Sequence, residues 1–269
     1  MSTAPRAPWL EPLTLVPGEV GTLRIGTSAL LVTRRAREWR VQTATTSDLG
    51  ALDVELRWPD PAPGPLPFSG DARLMRFATD GRADALRLRP RLADRPVVVR
   101  PADKLYLLAG AEVDVFVSTI LWIGLELADS GTPLVDLPAL RPSDTWFGPS
   151  TREGELAYAS RTSARLDLAD LPARPHRATT CIHLVNAGRT PQSLARVMLP
   201  APSLELWRMP SGLLWTQTVD LTLGDGEESP LRFRPGPPRD SGGAAELVAG
   251  PRRPTAQKNI LLRAMSAIF

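Results

Sequence analysis

"TTCIHLVNAGRTPQSLARVMLPAPSLELW", residues 179–207, is made of short runs separated by turn residues. Thr180, Ile182 and Leu184 alternate with Cys181, His183 and Val185, the period-two pattern of a strand with one buried face. Asn186 and Gly188 tolerate the positive φ of a turn, so "NAG" predicts a hairpin into the following run. Pro200 and Pro202 then interrupt the chain before "LELW" (204–207). Strand, turn, strand, proline, strand is the rhythm of a β-sandwich.

The same rhythm extends outward in both directions. In "LDVELRW" (52–58), Leu52, Val54, Leu56 and Trp58 share one face, and Asp53, Glu55 and Arg57 the other. "TLRIG" (22–26), "LLVTR" (30–34), "RLMRF" (73–77), "LRLRP" (86–90) and "PVVVRP" (96–101) are of similar length. "KLYLLAG" (104–110) and "AEVDVFVS" (111–118) read as a strand pair joined by an Ala-Gly-Ala turn, and "GLLWTQTVDLTLGDG" (212–226) as a long strand ending in a turn. The 28 prolines and 20 glycines oppose long helices. At 269 residues the chain suits two β domains rather than one.

These observations predict an all-β protein of two antiparallel β-sandwich-like domains, an N-terminal one over 1–95 and a C-terminal one over 96–235. Residues 236–254 have the composition of a Pro/Gly-rich linker. The end differs. In 255–269, Leu261, Met265 and Phe269 recur every fourth position beside Ile260 and Ile268, which predicts a short amphipathic helix. A helix of about three turns is marginal alone in water, so Ile260, Leu261, Met265, Ile268 and Phe269 are expected to dock on their own domain, a partner chain, a second copy or a membrane surface.

Composition narrows the functional classes. Net charge is +3, and Lys104 and Lys258 are the only lysines. Arginine alternates with acids in "RADALRLRPRLADRP" (82–96), a salt-bridged surface by pattern. "TRRAREWR" (33–40) places Arg34, Arg35, Arg37 and Arg40 around Trp39. One basic run beside one tryptophan falls short of the stripe that nucleic-acid binding requires, and a charge-protected strand edge is the preferred reading. A single cysteine excludes an internal disulfide framework and fits a reducing compartment. "MSTAPRAPWLEP" has no secretory h-region, and the longest apolar run, 113–127, is broken by Asp114, Ser118, Thr119 and Gly124, below the roughly 20 residues of a membrane span. A soluble cytoplasmic protein is expected.

Catalytic constellations are scarce. With only His176 and His183 a His-rich metal site is excluded. Cys181 and His183 share a strand face, but with no second cysteine and no Asp close in sequence they read as structural. Phosphate-binding GxxxxGK[ST] and GxGxxG loops and a GxSxG elbow do not occur. "LGDGEES" (223–229) lacks the ligand spacing of a calcium loop. No cofactor and no metal is expected.

Chemistry-capable side chains are densest in "SDTWFGPSTREGELAYAS" (143–160). Asp144, Trp146, Phe147, Arg152, Glu153 and Glu155 are the candidate ligand-binding residues: carboxylates beside aromatics suit a sugar ring. The competing reading makes Trp146 and Phe147 a loop that plugs a sandwich end, followed by a strand with Leu156 and Tyr158 turned inward. The succession "VVVRPADKLYL", "VDVFVSTILWIGLEL", "DTWFGPSTREGELAYAS", "HLVNAGRTPQSLARVMLPAPSLELW" and "GLLWT" resembles a prokaryotic family of β-sandwich proteins of unknown function. "DTWFG" and "GELAYAS" carry the resemblance most specifically. It implies the fold and brings no catalytic residue. The expectation is therefore a non-enzymatic interaction module that binds a protein partner through its C-terminal helix or an exposed sheet edge. The alternative is a carbohydrate-binding or carbohydrate-processing protein using 143–160.

Overall fold

A computed structural model describes residues 9, 11–45, 54–64, 72–81, 84–148, 150, 152–170, 172, 174–224, 229–241 and 244–254. The expected helix over 255–269 lies outside the described residues. Strands dominate the remainder. The first seven are β1 (Pro12–Thr14), β2 (Val20–Ile25), β3 (Ser28–Arg35), β4 (Glu38–Thr45), β5 (Val54–Arg57), β6 (Arg73–Ala78) and β7 (Ala85–Arg91). There follow β8 (Val97–Pro101), β9 (Leu105–Leu107), β10 (Glu112–Ile120), β11 (Trp122–Leu127), β12 (Pro133–Pro138), β13 (Ser143–Phe147) and β14 (Glu155–Thr162). The last are β15 (Arg177–Asn186), β16 (Gln192–Leu194), β17 (Val197–Leu199), β18 (Leu206–Arg208), β19 (Leu214–Thr216), β20 (Val219–Leu223), β21 (Leu231–Phe233) and β22 (Glu246–Ala249). Helical structure among the described residues is confined to three single-turn 3-10 segments.

The chain's contacts group it into two units. The first gathers Met1–Arg91, Ile120–Arg141 and Arg174–His176; the second gathers Leu92–Thr119, Pro142–Ala173 and Arg177–Phe269. The apolar run 113–127 is thus two strands, β10 and β11, with fully buried Leu121 between them.

The first unit holds two antiparallel sheets, ordered β5-β2-β3-β4-β6 and β1-β7-β11-β12. Their buried faces follow from alternation: Leu23 and Ile25, Leu30 and Val32, Trp39 and Val41 in one sheet, Leu86, Leu88, Ile123 and Leu125 in the other. On the opposite face of β7, Arg87, Arg89 and Arg91 all come within ion-pairing distance of one carboxylate, that of buried Glu126, with Arg89 Nε closest at 2.5 Å. The arginine-acid alternation of 82–96 finds its partner there, on β11 rather than nearby in sequence. In the stretch 33–40, Trp39 is completely buried and the Arg34 guanidinium lies 4.9 Å from its ring centroid. No ring face of Trp39 is left on which a base could stack. Arg40 and Arg76 both bond the Glu38 carboxylate and lower its pKa, Arg76 contributing most.

The second unit holds a seven-stranded sheet, β21-β20-β15-β19-β18-β22 with β10 also on β15, a four-stranded sheet β13-β14-β8-β17, and the small pair β16-β9. Two expectations are corrected here. Its two larger sheets are mixed rather than antiparallel, because β15 runs parallel to β19 and β20, and β14 runs parallel to β8. The two predicted hairpins also do not form: β9 pairs with β16 while β10 pairs with β15, and neither joins its neighbour in sequence. Asn186 explains the second failure. Its side chain is fully buried and its amide donates to the carbonyls of Leu107, Leu108 and Thr190, while its Oδ1 accepts from Gly188 N. It ties the β9–β10 corner to the end of β15 instead of turning a hairpin. Within 236–254, Glu246–Ala249 forms β22 and pairs antiparallel with β18.

Candidate functional site

The segment 143–160 is a β-hairpin. β13 and β14 pair antiparallel, with Asp144 opposite Tyr158, Trp146 opposite Leu156 and Phe147 opposite Glu155. Trp146 and Phe147 therefore belong to a strand, not to the loop expected for them. The loop between the strands closes tightly because it has glycine at both ends. A Cβ on Gly148 would lie 2.0 Å from Glu153 O, and one on Gly154 would lie 2.5 Å from Phe147 O. Between them the Ser150 hydroxyl accepts from the backbone N–H groups of Arg152 and Glu153.

Directly opposed residues share a face, so the hairpin sorts its side chains unambiguously. Phe147 and Ala157 point inward, at 3% and 0% exposure, and the Arg196 guanidinium covers the Phe147 ring at 5.0 Å. Trp146 and Leu156 point outward as an opposed pair, at 42% and 45% exposure. The inward assignment of Leu156 is thus reversed: the small Ala157 is the residue that lies in the core. The next outward rung is Asp144 with half-buried Tyr158. Arg95 joins it, bonding Asp144 at 3.2 Å and lying 5.3 Å from the Tyr158 ring centroid, and Tyr158 donates to Asp94 at 2.9 Å. The outer face of this hairpin is therefore two rungs, one apolar and one charged. β13 is an end strand of its sheet.

Of the six candidate residues, the structure brings Asp144 and Trp146 together on the open face. Phe147 is core. Glu155 lies on the opposite face, where partial burial of its carboxyl raises its pKa and Arg253 opposes the shift. Arg152 and Glu153 sit exposed in the loop. Asp144 and Glu155, the carboxylates considered for sugar chemistry, are thus on different sides of the sheet. The Trp146 indole N–H donates to Ser150 O at 2.8 Å, which fixes the ring while leaving its outer surface in solvent.

Burial pushes the Tyr158 hydroxyl up to about 12 from 10.0, with the hydrogen bond and charge of Asp94 adding to the effect. With Tyr106 replaced by Phe, absorbance titration of the folded protein should show the remaining tyrosine ionising near 12, and lower in an Asp94→Asn background. A raised pKa favours the neutral form in the folded state. This contribution to stability is therefore full below pH 10 and is lost as pH rises through about 12.

A second polar cluster lies on the seven-stranded sheet, and the partners of His183 in it were missed from sequence. His183 Nδ1 is 2.7 Å from Asp114 Oδ1, and His183 Nε2 is 3.9 Å from Glu112. Asp114 and Glu112 reach it because β10 pairs with β15, a contact between positions 69 residues apart. Asp220, beside His183 on β20, is held in a two-pronged bond by Arg234. Cys181, on the same face, is sealed at 1% exposure in a cluster with Phe116 and Trp215. No group of three or more His, Cys, Asp or Glu among the described residues could hold a metal ion. No helix among them is long and apolar enough to cross a membrane.

No curated protein and no solved structure matches the chain. A family model described as "Protein of unknown function (DUF432)" matches residues 9–269, well beyond the half of the chain that carries the resemblance in its sequence. The chain belongs to that family.

Proposed function

We propose that this protein is a non-enzymatic cytoplasmic interaction module that receives an extended segment of a protein partner along β13. The observation that carries this reading is the Trp146–Leu156 rung, two large apolar side chains exposed side by side where their sheet ends in β13. An end strand presents unpaired backbone groups to an incoming strand, and side-chain rungs beside it supply specificity. An apolar partner residue would rest on Trp146 and Leu156, and a polar or charged one would meet Asp144 and Arg95. The fixed indole lowers the entropy cost of forming the contact.

The test places a photo-cross-linking residue at Ser143 and captures partners inside cells. Trp146→Ala with Leu156→Ser should remove the captured species while urea unfolding stays within about 1 kcal/mol of the parent, as surface substitutions allow. Capture that survives this pair but falls with Leu261→Asp and Met265→Asp would move the interaction to the C-terminal segment. A captured second copy of the chain would make the module self-associating.

A further inference from the structure

We propose that the partner segment runs antiparallel to β13 and carries an apolar residue followed, two positions later, by lysine or arginine. This inference rests on the reading of β13 as a docking strand and adds the chemistry of what docks there. The direction of the backbone groups comes first. Tyr158 N donates to Pro96 O at 2.9 Å, so the backbone groups of Tyr158 face β8, its parallel neighbour. Backbone groups alternate sides along a strand, so those of Glu155, Ala157 and Ala159 face β13 and bond their opposites Phe147, Thr145 and Ser143. The N–H and C=O of Asp144 and Trp146 therefore point to the open edge. Among the described residues, no backbone hydrogen bond outside the strand ladders involves either one.

Two residues of an incoming antiparallel strand pair directly with these two. The one opposite Trp146 extends the Leu156–Trp146 rung on the outer face, where both apolar side chains are exposed. The one opposite Asp144 comes two positions later in the partner, because the strands run in opposite directions. Its side chain meets a field of one sign. Asp144 is bonded to Arg95, and Asp94 accepts from Tyr158, so two carboxylates there face one guanidinium. Tyr158 registers the imbalance: beyond the larger effect of burial, Asp94 and Asp144 push its pKa up and Arg95 opposes them. The Asp144 side chain is also more open than that of Arg95, at 64% against 39% exposure. A partner cation completes the neutralisation, whereas an acid directly beside Asp144 is repelled.

The test pans a phage-displayed library of short random peptides against the full chain. Selected peptides are expected to share an apolar residue, any residue, then lysine or arginine, and to lose binding with Trp146→Ala and Leu156→Ser. N-methylation of a selected peptide at its apolar or its basic residue removes a backbone bond to Trp146 or Asp144 and should weaken binding about tenfold, while N-methylation between them is tolerated. Panning against Asp144→Lys should turn the basic position to aspartate or glutamate. Peptides that need Trp146 and Leu156 but show no charge preference, keep it against Asp144→Lys, or reverse the methylation pattern overturn the inference and leave β13 a docking strand. If no selected peptide depends on Trp146 and Leu156, the docking reading falls with it.

Discussion

Replacing Asn186 by alanine should lower folding stability by about 2–4 kcal/mol, because a buried polar group left without a partner costs about 1–3 kcal/mol and the substitution strands several. The Asn186 side chain is fully buried and serves the carbonyls of Leu107, Leu108 and Thr190 and the N–H of Gly188. Only some of these are close enough to the surface for water to take over. Asn186→Asp is a sharper probe: it retains the acceptor for Gly188 but turns a carboxylate toward three carbonyls. It should be at least as damaging at neutral pH, and its deficit relative to the parent should shrink on acidification, where the protonated acid donates again. Urea unfolding of the three proteins at two pH values measures both effects. A loss below about 0.5 kcal/mol for the alanine variant, the range of an ordinary surface change, would show that the residue is not the clamp described above.

Trp39→Ala should cost about 3–5 kcal/mol, the range for truncating a buried aromatic side chain. Trp39 has no exposed surface and its ring is the seat of a buried guanidinium, that of Arg34. Arg34 bonds Asp84 at 3.0 Å through Nη2, but its Nε and Nη1 have no hydrogen-bond partner among the described residues. A buried charge so incompletely bonded is often replaced by an apolar side chain at little cost. Arg34→Met is therefore expected to be much milder than Trp39→Ala, and milder still in a chain that already lacks the tryptophan. A double-mutant cycle by urea unfolding gives the coupling directly, and Arg34→Met as damaging as Trp39→Ala would contradict this ordering.

The all-β class was legible because alternation and proline spacing act over a few residues. "LRLRP" and "VVV" became strands for the reasons their patterns suggest. Strand partners were not legible, since a period of two says which side chains share a face and nothing about which strand lies alongside. The tight "LAGA" and "NAG" stretches looked like hairpin turns, yet β9 and β10 found β16 and β15 instead. The same blindness hid Asp114 from His183. In "REGELAYAS" the alternation itself was read correctly and its direction was not: leucine is the more apolar residue, but Phe147 fills the inner side, and alanine is what stands beside it. Of the candidate site, Trp146 and Asp144 were found together on one face. Glu155 could be separated from them only by knowing the register of the hairpin.

The division of the first unit among three chain segments bears on how the protein is made. β7 leaves the ribosome carrying Leu86 and Leu88, yet β11, its neighbour in the sheet, is complete only 36 residues later. At about 5–20 residues per second that interval is roughly 2–7 s, during which one edge of β7 has no native partner. The intervening residues include β8, β9 and β10, which belong to the other unit. A nascent chain of this protein thus begins its second unit before its first can close, and a holding chaperone or a pause in translation near residue 127 would act on an open sheet rather than on a finished domain.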